Sequence, residues 1–285
     1  MIAQEFTHPD DAAALKMLES IPVLPKVVKK VMDLGMERFY KGINLATKIR
    51  LSPTQLPELY EILPPICRRL GIPEPEFYLE MDPNPNAYAF GDTYTAITIN
   101  SGLVEMLTRE ELKAIVAHEC GHILCRHMLY HTLAMTLVDG MSEDSGLRLL
   151  AEPINYALMF WNRKGELSCD RVSAFICGPA TAARALGRLA GGPDSITGNL
   201  NLVELAEQAE QYEKYATDGF WNKTLQMSAV LGMTHPFTSV RISEVLRWVA
   251  SEDYKKLREK YPSCPVCFEE TAPGQKYCQH CGSKL

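Results

Sequence analysis

Nowhere does this sequence sustain the run of about 20 apolar residues that a membrane span needs. Its two best stretches, 128–138 and 147–161, are short or are broken by Arg148 and Glu152, with Asp139, Glu143 and Asp144 between them. An excess of basic charge is also missing. Against 35 Asp+Glu stand 29 Lys+Arg, a net charge of -6 that gives no general pull toward nucleic acid or an anionic surface. The opening M-I-A-Q-E-F-T-H-P-D-D is acidic where a secretory leader has a basic start and an apolar run. Nine cysteines form no regular disulfide framework, since five are scattered and four sit near the end of the chain. No internal repeat or low-complexity tract is present. These absences predict a cytoplasmic protein with no membrane span and no nucleic-acid partner.

What is present is material for a core. With 285 residues and 46% hydrophobic content, the chain holds one sizeable domain plus a small module. Residues 11–50 read as mainly helical, broken at Pro22, Pro25 and Gly35, and 53–70 adds another helix. Then F-Y-L-E (77–80), N-A-Y-A-F (86–90) and T-A-I-T-I (95–99) are rich in β-branched and aromatic residues, with Gly91-Asp92 as a turn signal. They predict a small antiparallel sheet. Thr108 with Glu111 is a capping-box signature that starts a helix running to about Ala134. Helices follow, over 203–215 and 239–250 among others, and the charged S-E-D-Y-K-K-L-R-E-K from 251 continues a helix or forms a semi-rigid link. The fold class is α+β and mostly helical.

One of these helices carries chemistry. In A-H-E-C-G-H (117–122), His118 and His122 lie four apart, on one helix face a turn from each other, where both imidazoles can meet one ion. Glu119 sits beside that ion rather than on it, which suits a general base. A catalytic zinc takes three protein ligands and keeps one position for water. The extended metzincin pattern does not supply the third, because Cys125 stands where it wants glycine and His127, five after His122, is one residue early. Glu143, Glu152 and Glu166 are candidates. Glu166 is the best of them, since Asp170 one turn on can accept the second ring proton of a ligating histidine. Gly121 inside the helix costs about 1 kcal/mol relative to alanine and calls for a close backbone neighbour, for which the strand at 86–90 is the candidate. As an edge strand it would also pair with an extended peptide. His127 and His131 read as structural, and His8 as a solvated terminal residue.

Together these residues resemble the zinc metallopeptidases of the HtpX heat-shock protease and CAAX prenyl endopeptidase type, within the gluzincins. A-H-E-C-G-H-I-L-C-R-H (117–127) resembles the family's zinc helix, N-R-K-G-E-L-S-C-D (162–170) its second motif, T-H-P-F-T-S-V-R-I (234–242) its third, and N-A-Y-A-F-G (86–91) its substrate strand. The four lie in family order across roughly 45–250. The resemblance implies zinc ligands His118, His122 and Glu166, Glu119 as general base and acid, and His235 with Arg241 on the oxyanion of a tetrahedral intermediate. It makes Asn86, Ala87, Tyr88 and Ala89 substrate-binding. Asn162, Cys169 and Phe237 depart from the commoner serine, alanine and proline, and many relatives carry spans that flank the site, so a soluble protein or peptide substrate is expected.

C-P-V-C (264–267) and C-Q-H-C (278–281) are two pairs ten residues apart. Each C-x-x-C turns two sulfurs onto one tetrahedral ion, so Cys264, Cys267, Cys278 and Cys281 predict a structural zinc and resemble a zinc ribbon. No thioredoxin-like βαβ pattern surrounds them, which argues against redox pairs, and His280 is a spare ligand. From 252 to 285 six Lys/Arg face five Asp/Glu, too balanced for a nucleic-acid surface, so a protein partner is the expectation for the ribbon.

The expected organisation is a metallopeptidase domain over 1–251, of which 1–50 is an N-terminal helical segment, a charged linker over 252–263, and a zinc ribbon over 264–285. The expected activity is endopeptidase, with one catalytic and one structural Zn2+. Its rival is a non-enzymatic adaptor that uses the ribbon to bind a protein or nucleic acid, and a third reading has the N-terminal segment or the ribbon lying over the cleft.

Overall fold

Pro9 at the first helical position and Asp10 and Asp11 in the first turn start helix α1 (Pro9–Glu19), an arrangement that suits both proline's missing N–H and the helix dipole. The computed structural model describes residues 1–26, 28, 35–130, 132–133, 145–218, 236–272 and 274–285, with the backbone alone for Met36 and 145–153. Its N-cap is His8, whose Nδ1 accepts from Asp10 N–H, and that ring is buried rather than solvated. Helix α2 (Met36–Thr47) leads into strand β1 (Ile49–Arg50), so the segment expected as helix up to 50 ends in a short strand.

Helix α3 (Leu63–Leu70) is followed by β2 (Glu76–Glu80), β3 (Ala87–Phe90) and β4 (Ala96–Asn100). The sheet order is β1-β2-β4-β3, with β1–β2 and β3–β4 antiparallel but β2–β4 parallel. The expected wholly antiparallel sheet is therefore mixed. The hairpin signal at Gly91-Asp92 fixed the β3–β4 pair, whereas the parallel pairing crosses over between non-consecutive strands, beyond the reach of a local turn signal. Every residue of β4 is buried, and β3 is an edge strand.

Thr108 caps helix α4 (Arg109–Leu124) and Glu111 closes the capping box. The helix stops at Leu124, ten residues before the expected end, because Arg126 adopts a left-handed conformation (φ 59°). No glycine or proline announces that break. Helices α5 (Ser145–Cys177), α6 (Pro179–Gly191), α7 (Leu202–Thr217), α8 (Thr238–Val249) and α9 (Glu252–Lys260) complete the order of the main elements. Among the described residues, no helix is long and apolar enough to cross a membrane.

One core joins α3, the sheet, α4, the C-terminal half of α5 and α8, through Ile66, Phe77, Ile97, Ile99, Val116, Phe175 and Trp248. Residues 252–260, expected to continue a helix or to form a semi-rigid link, form α9 and bury Tyr254 and Leu257 in that core. A second cluster packs Ala14 and Leu18 of α1 on Ile154, Leu158 and Trp161 of α5. The N-terminal segment is thus packed directly on the long helix that carries Glu166 and Asp170.

Candidate metal centre and the cysteine quartet

Two helices in contact build the centre. α4 supplies His118, Glu119 and His122, and α5 supplies Glu166 and Asp170, all five buried. Gly121 permits the approach: a Cβ there would lie 3.0 Å from Cys169 Cα. The close backbone neighbour is the facing helix, not the strand at 86–90.

Glu166 lies between the two rings, with Oε2 3.3 Å from His118 Nε2 and Oε1 3.2 Å from His122 Nε2. Both Nε2 atoms face one carboxylate, while each Nδ1 is tied elsewhere: His118 Nδ1 is 3.0 Å from Asp170 Oδ1, and His122 Nδ1 is 3.2 Å from His127 Nδ1. Arg241 of α8 clamps Asp170 from two nitrogens, at 2.8 and 2.7 Å, and lies 3.3 Å from Glu166 Oε2. Burial alone would strip charge from these groups, and their neighbours decide the outcome. Burial opposes protonation of His118, but the Glu166 and Asp170 carboxylates overturn it and hold the ring up at about 10. With burial and the neighbouring His118 against it, His122 is pushed down to about 3 despite the Glu166 carboxylate. Burial pushes the Glu119 carboxyl up to about 7, against the pull of His118, Arg241 and a backbone hydrogen bond from Ala89. Despite burial, Arg241 and His118 hold Asp170 below its ordinary range.

These donors fit zinc by their chemistry. Two imidazole nitrogens and a carboxylate converge, and the ring atoms that face away are hydrogen-bonded, as ligating histidines require. Cys169 joins the same neighbourhood, since donor atoms of His118, His122 and Cys169 all lie within 4.8 Å of one another. Burial raises its thiol well above the ordinary value.

Of the other expected site residues, Ala87, Tyr88 and Ala89 lie on edge strand β3, with Asn86 immediately before it bonded through its N–H to Asn100 Oδ1 at 2.9 Å. His235, His131 and Glu143 fall outside the described residues, and for Glu152 only the backbone is described. Sequence reasoning missed the part played by His127, which the break after Leu124 folds back so that its N–H donates to His122 O at 2.9 Å.

The quartet is built by local turns. Donor atoms of Cys264, Cys267, Cys278 and Cys281 lie within 4.8 Å of one another, with Cys264–Cys281 and Cys267–Cys278 sulfurs both 3.6 Å apart. A zinc tetrahedron with bonds near 2.3 Å has edges of roughly 3.8 Å. Each turn repeats the same device: the N–H two residues on, of Val266 and His280, points at the first sulfur at 3.4 Å. A left-handed residue follows each pair, Phe268 (φ 59°) and Gly282 (φ 74°). His280 is exposed and lines the groove between ribbon and core. The ribbon docks by Phe268, which lies where a Cβ on Gly178 would be, by Arg69 Nη1 donating to Phe268 O at 2.6 Å, and by a Lys113–Glu269 ion pair.

Comparison with known proteins adds the family. The model of peptidase family M48 matches residues 53–249. The chain is 31% identical to Plastoglobule-localized metallopeptidase 48, chloroplastic, of Arabidopsis thaliana, over 90% of this chain and 76% of that protein. It is 28% identical to a protease HtpX homolog of Sulfurovum sp., over 66% of this chain and 74% of that one. Among solved structures it is similar to Ste24p of S. mikatae, at 16% identity and a TM-score of 0.47, over 83% of this chain and 61% of that one. The chain belongs to peptidase family M48 and is a zinc metallopeptidase.

Proposed function

We propose that the protein is an endopeptidase acting on protein or peptide substrates, with His118, His122 and Glu166 holding a catalytic zinc and Glu119 moving the proton. The observation that carries this reading is the Glu166 carboxylate seated 3.2–3.3 Å from both Nε2 atoms, with Glu119 next to His118 on the same helix. Zinc bound there would polarise a carbonyl and acidify a water. Glu119 takes a proton from the attacking water and returns it to the leaving amine. Edge strand β3 supports an extended peptide as substrate, because among the described residues no further strand pairs with its outer side and a backbone hydrogen bond from Ala89 ties it to Glu119.

Asp170 fixes the ring of His118. Arg241, expected on the oxyanion, has its guanidinium turned to Asp170 and Glu166, so we assign it the task of holding those two carboxylates. The oxyanion role stays with His235 in this proposal. Cys264, Cys267, Cys278 and Cys281 hold a second, structural zinc, and the groove beside the ribbon is the place for a protein partner. The cysteines, none of them in a disulfide, fit a reducing compartment such as the cytoplasm.

Glu119→Gln tests the reading. It should keep two zincs per chain and lose about 100- to 10,000-fold in cleavage of an unfolded protein. Unaltered turnover in that variant refutes the role. Two zincs with no turnover in the native protein, and a ribbon partner recovered, would instead support the adaptor.

A further inference from the structure

A chain of buried groups connects the second histidine of the metal centre to the N-terminal helix. His122 Nδ1 is 3.2 Å from His127 Nδ1, and His127 Nε2 is 3.1 Å from Asp11 Oδ2. The Ser168 hydroxyl donates to the same Asp11 oxygen at 2.6 Å and accepts the His8 N–H at 2.8 Å. Asp11, His122, His127 and Ser168 are all buried.

We propose that Asp11 and His127 are positioning residues for the metal centre, which set the tautomer and orientation of His122 from the N-terminal helix. The reasoning is one of donors and acceptors. Neutral imidazole carries one N–H and one lone pair. An ionised Asp11 only accepts, so His127 donates from Nε2 and its Nδ1 becomes a lone pair. That lone pair accepts from His122 Nδ1, and His122 is left with its Nε2 lone pair facing Glu166. Asp11 thereby decides, through two rings, which nitrogen of His122 presents its lone pair on the Glu166 side. The contact enters on the Nδ1 side of His122, behind the face that meets Glu166, so the N-terminal helix braces the site rather than covering that face.

The surroundings are shaped for His127. A Cβ on Gly165 would lie 3.1 Å from its Cε1 and Nδ1, so the glycine in the middle of α5 leaves the ring its room. Trp161 holds the ring edge-on, with centroids 5.2 Å apart at 86°. Cys169 Sγ, 3.7 Å from His127 Nδ1, is a weaker donor to the same lone pair. Burial works against an anion at Asp11, yet its bonds to His127 and Ser168 hold the carboxyl below its ordinary range. Asp11 lies outside the residues 53–249 that the family model matches, so the brace comes from a part of the chain beyond that match.

The inference rests on His122 being a zinc ligand, and the test separates the two claims. Cobalt(II) is titrated into the metal-free full chain, where only the four-thiolate site gives a sulfur-to-cobalt charge-transfer band. Asp11→Ala and His127→Ala should each weaken cobalt at the imidazole site by about 10- to 100-fold and leave the thiolate site unchanged. Asp11→Asn, which keeps an acceptor, should lose less, and the Asp11→Ala/His127→Ala pair should be no weaker than His127→Ala alone. His122→Ala should lose the imidazole site. If it does, and a folded Asp11→Ala binds as the native chain does, the relay is overturned. If His122→Ala itself binds normally, the ligand reading falls first and takes the relay with it. Should Asp11→Ala fail to fold, His127→Phe decides, because it keeps a ring against Trp161 but offers His122 no acceptor; native affinity there overturns the proposal.

Discussion

The helix-borne centre and the cysteine quartet gather their donors in opposite ways. At the centre, donors from two helices more than 40 residues apart meet because Gly121 lets α5 close on α4, and every ring is braced by another buried side chain. In the quartet, all donors come from 18 consecutive residues, Val266 and Tyr277 are exposed, and the turns point N–H groups at the sulfurs. Packing organises the first. In the reading proposed above an ion organises the second, because a segment of this size has little apolar surface to bury.

Metal removal tests that contrast hardest. A chelator that strips both sites should unfold residues 264–285 and leave helices α1–α9 folded, since structural zinc contributes on the order of 10 kcal/mol to folding of such modules. Amide exchange read residue by residue should show protection lost in the ribbon and kept in α4 and α5. Equal loss in both regions would erase the distinction.

The next largest effect concerns the centre alone. Arg241→Met keeps much of the side chain's length but leaves Asp170 and Glu166 buried without their partner, and removing one member of such a group costs roughly 3–5 kcal/mol. Urea unfolding of the peptidase core should register it while cobalt binding by the thiolates stays native. A loss below about 1 kcal/mol would mean that the carboxylates are already balanced by other groups.

Two glycines give the middle-sized effect and put the two regions side by side. Gly121→Ala drives a Cβ to 3.0 Å from the Cys169 backbone, so the helices must part and carry Glu166 away from the histidines. Gly178→Ala strains a residue at φ 91° and meets the Phe268 ring at 2.5 Å, so the ribbon must lift. Each should cost about 1–3 kcal/mol, the first with weaker zinc at the centre, the second with a native centre and an undocked ribbon. Thermal unfolding with cobalt titration measures both, and an exchange of the two phenotypes would break the assignment.

How far each region could be read from sequence follows from the same contrast. The quartet was legible almost whole, because its ligands are a matter of local spacing. At the centre the capping box, His118, Glu119 and His122 were legible from one helix, and Glu166 from the pattern of a second. The rest depended on chain folding over long range. Nothing local marks the left-handed Arg126 that stops α4 and returns His127 to His122. Asp11 is 116 residues from its partner, and His8, read as solvated, is buried as a cap bonded to Ser168 and Glu244. One available signal was passed over: His-Pro-Asp-Asp at 8–11 is a helix start, and a helix placed there has to bury a face on something. The parallel β2–β4 pairing escaped for the same reason, since a crossover pairing leaves no turn to read.

The smallest effect lies on the seam between the two regions, where the Lys113–Glu269 pair is partly exposed and should contribute less than about 1 kcal/mol to docking. Burial would raise the Glu269 carboxyl, but its hydrogen bond to Lys113 and that residue's charge win and hold it below the ordinary 4.5. A depressed folded value means that the contribution is complete above 4.5 and is lost as pH falls through the lower, folded value. Lys113 is displaced the other way: burial opposes its charge, yet the contact with Glu269 raises it above the ordinary 10.5, so its contribution holds below 10.5 and fades as pH rises past the folded value. Acid also protonates the ribbon thiolates and releases metal, which weakens docking in every variant. The difference between the native chain and Glu269→Gln removes that shared term. Followed by the amide shift of Gly178, which lies against the Phe268 ring, that difference should be constant from pH 8 to about 5 and close below about 4.5. The absence of a gap even at pH 8 would assign the docking to Phe268 and Arg69 alone, and the seam would then be apolar and backbone-held rather than ionic.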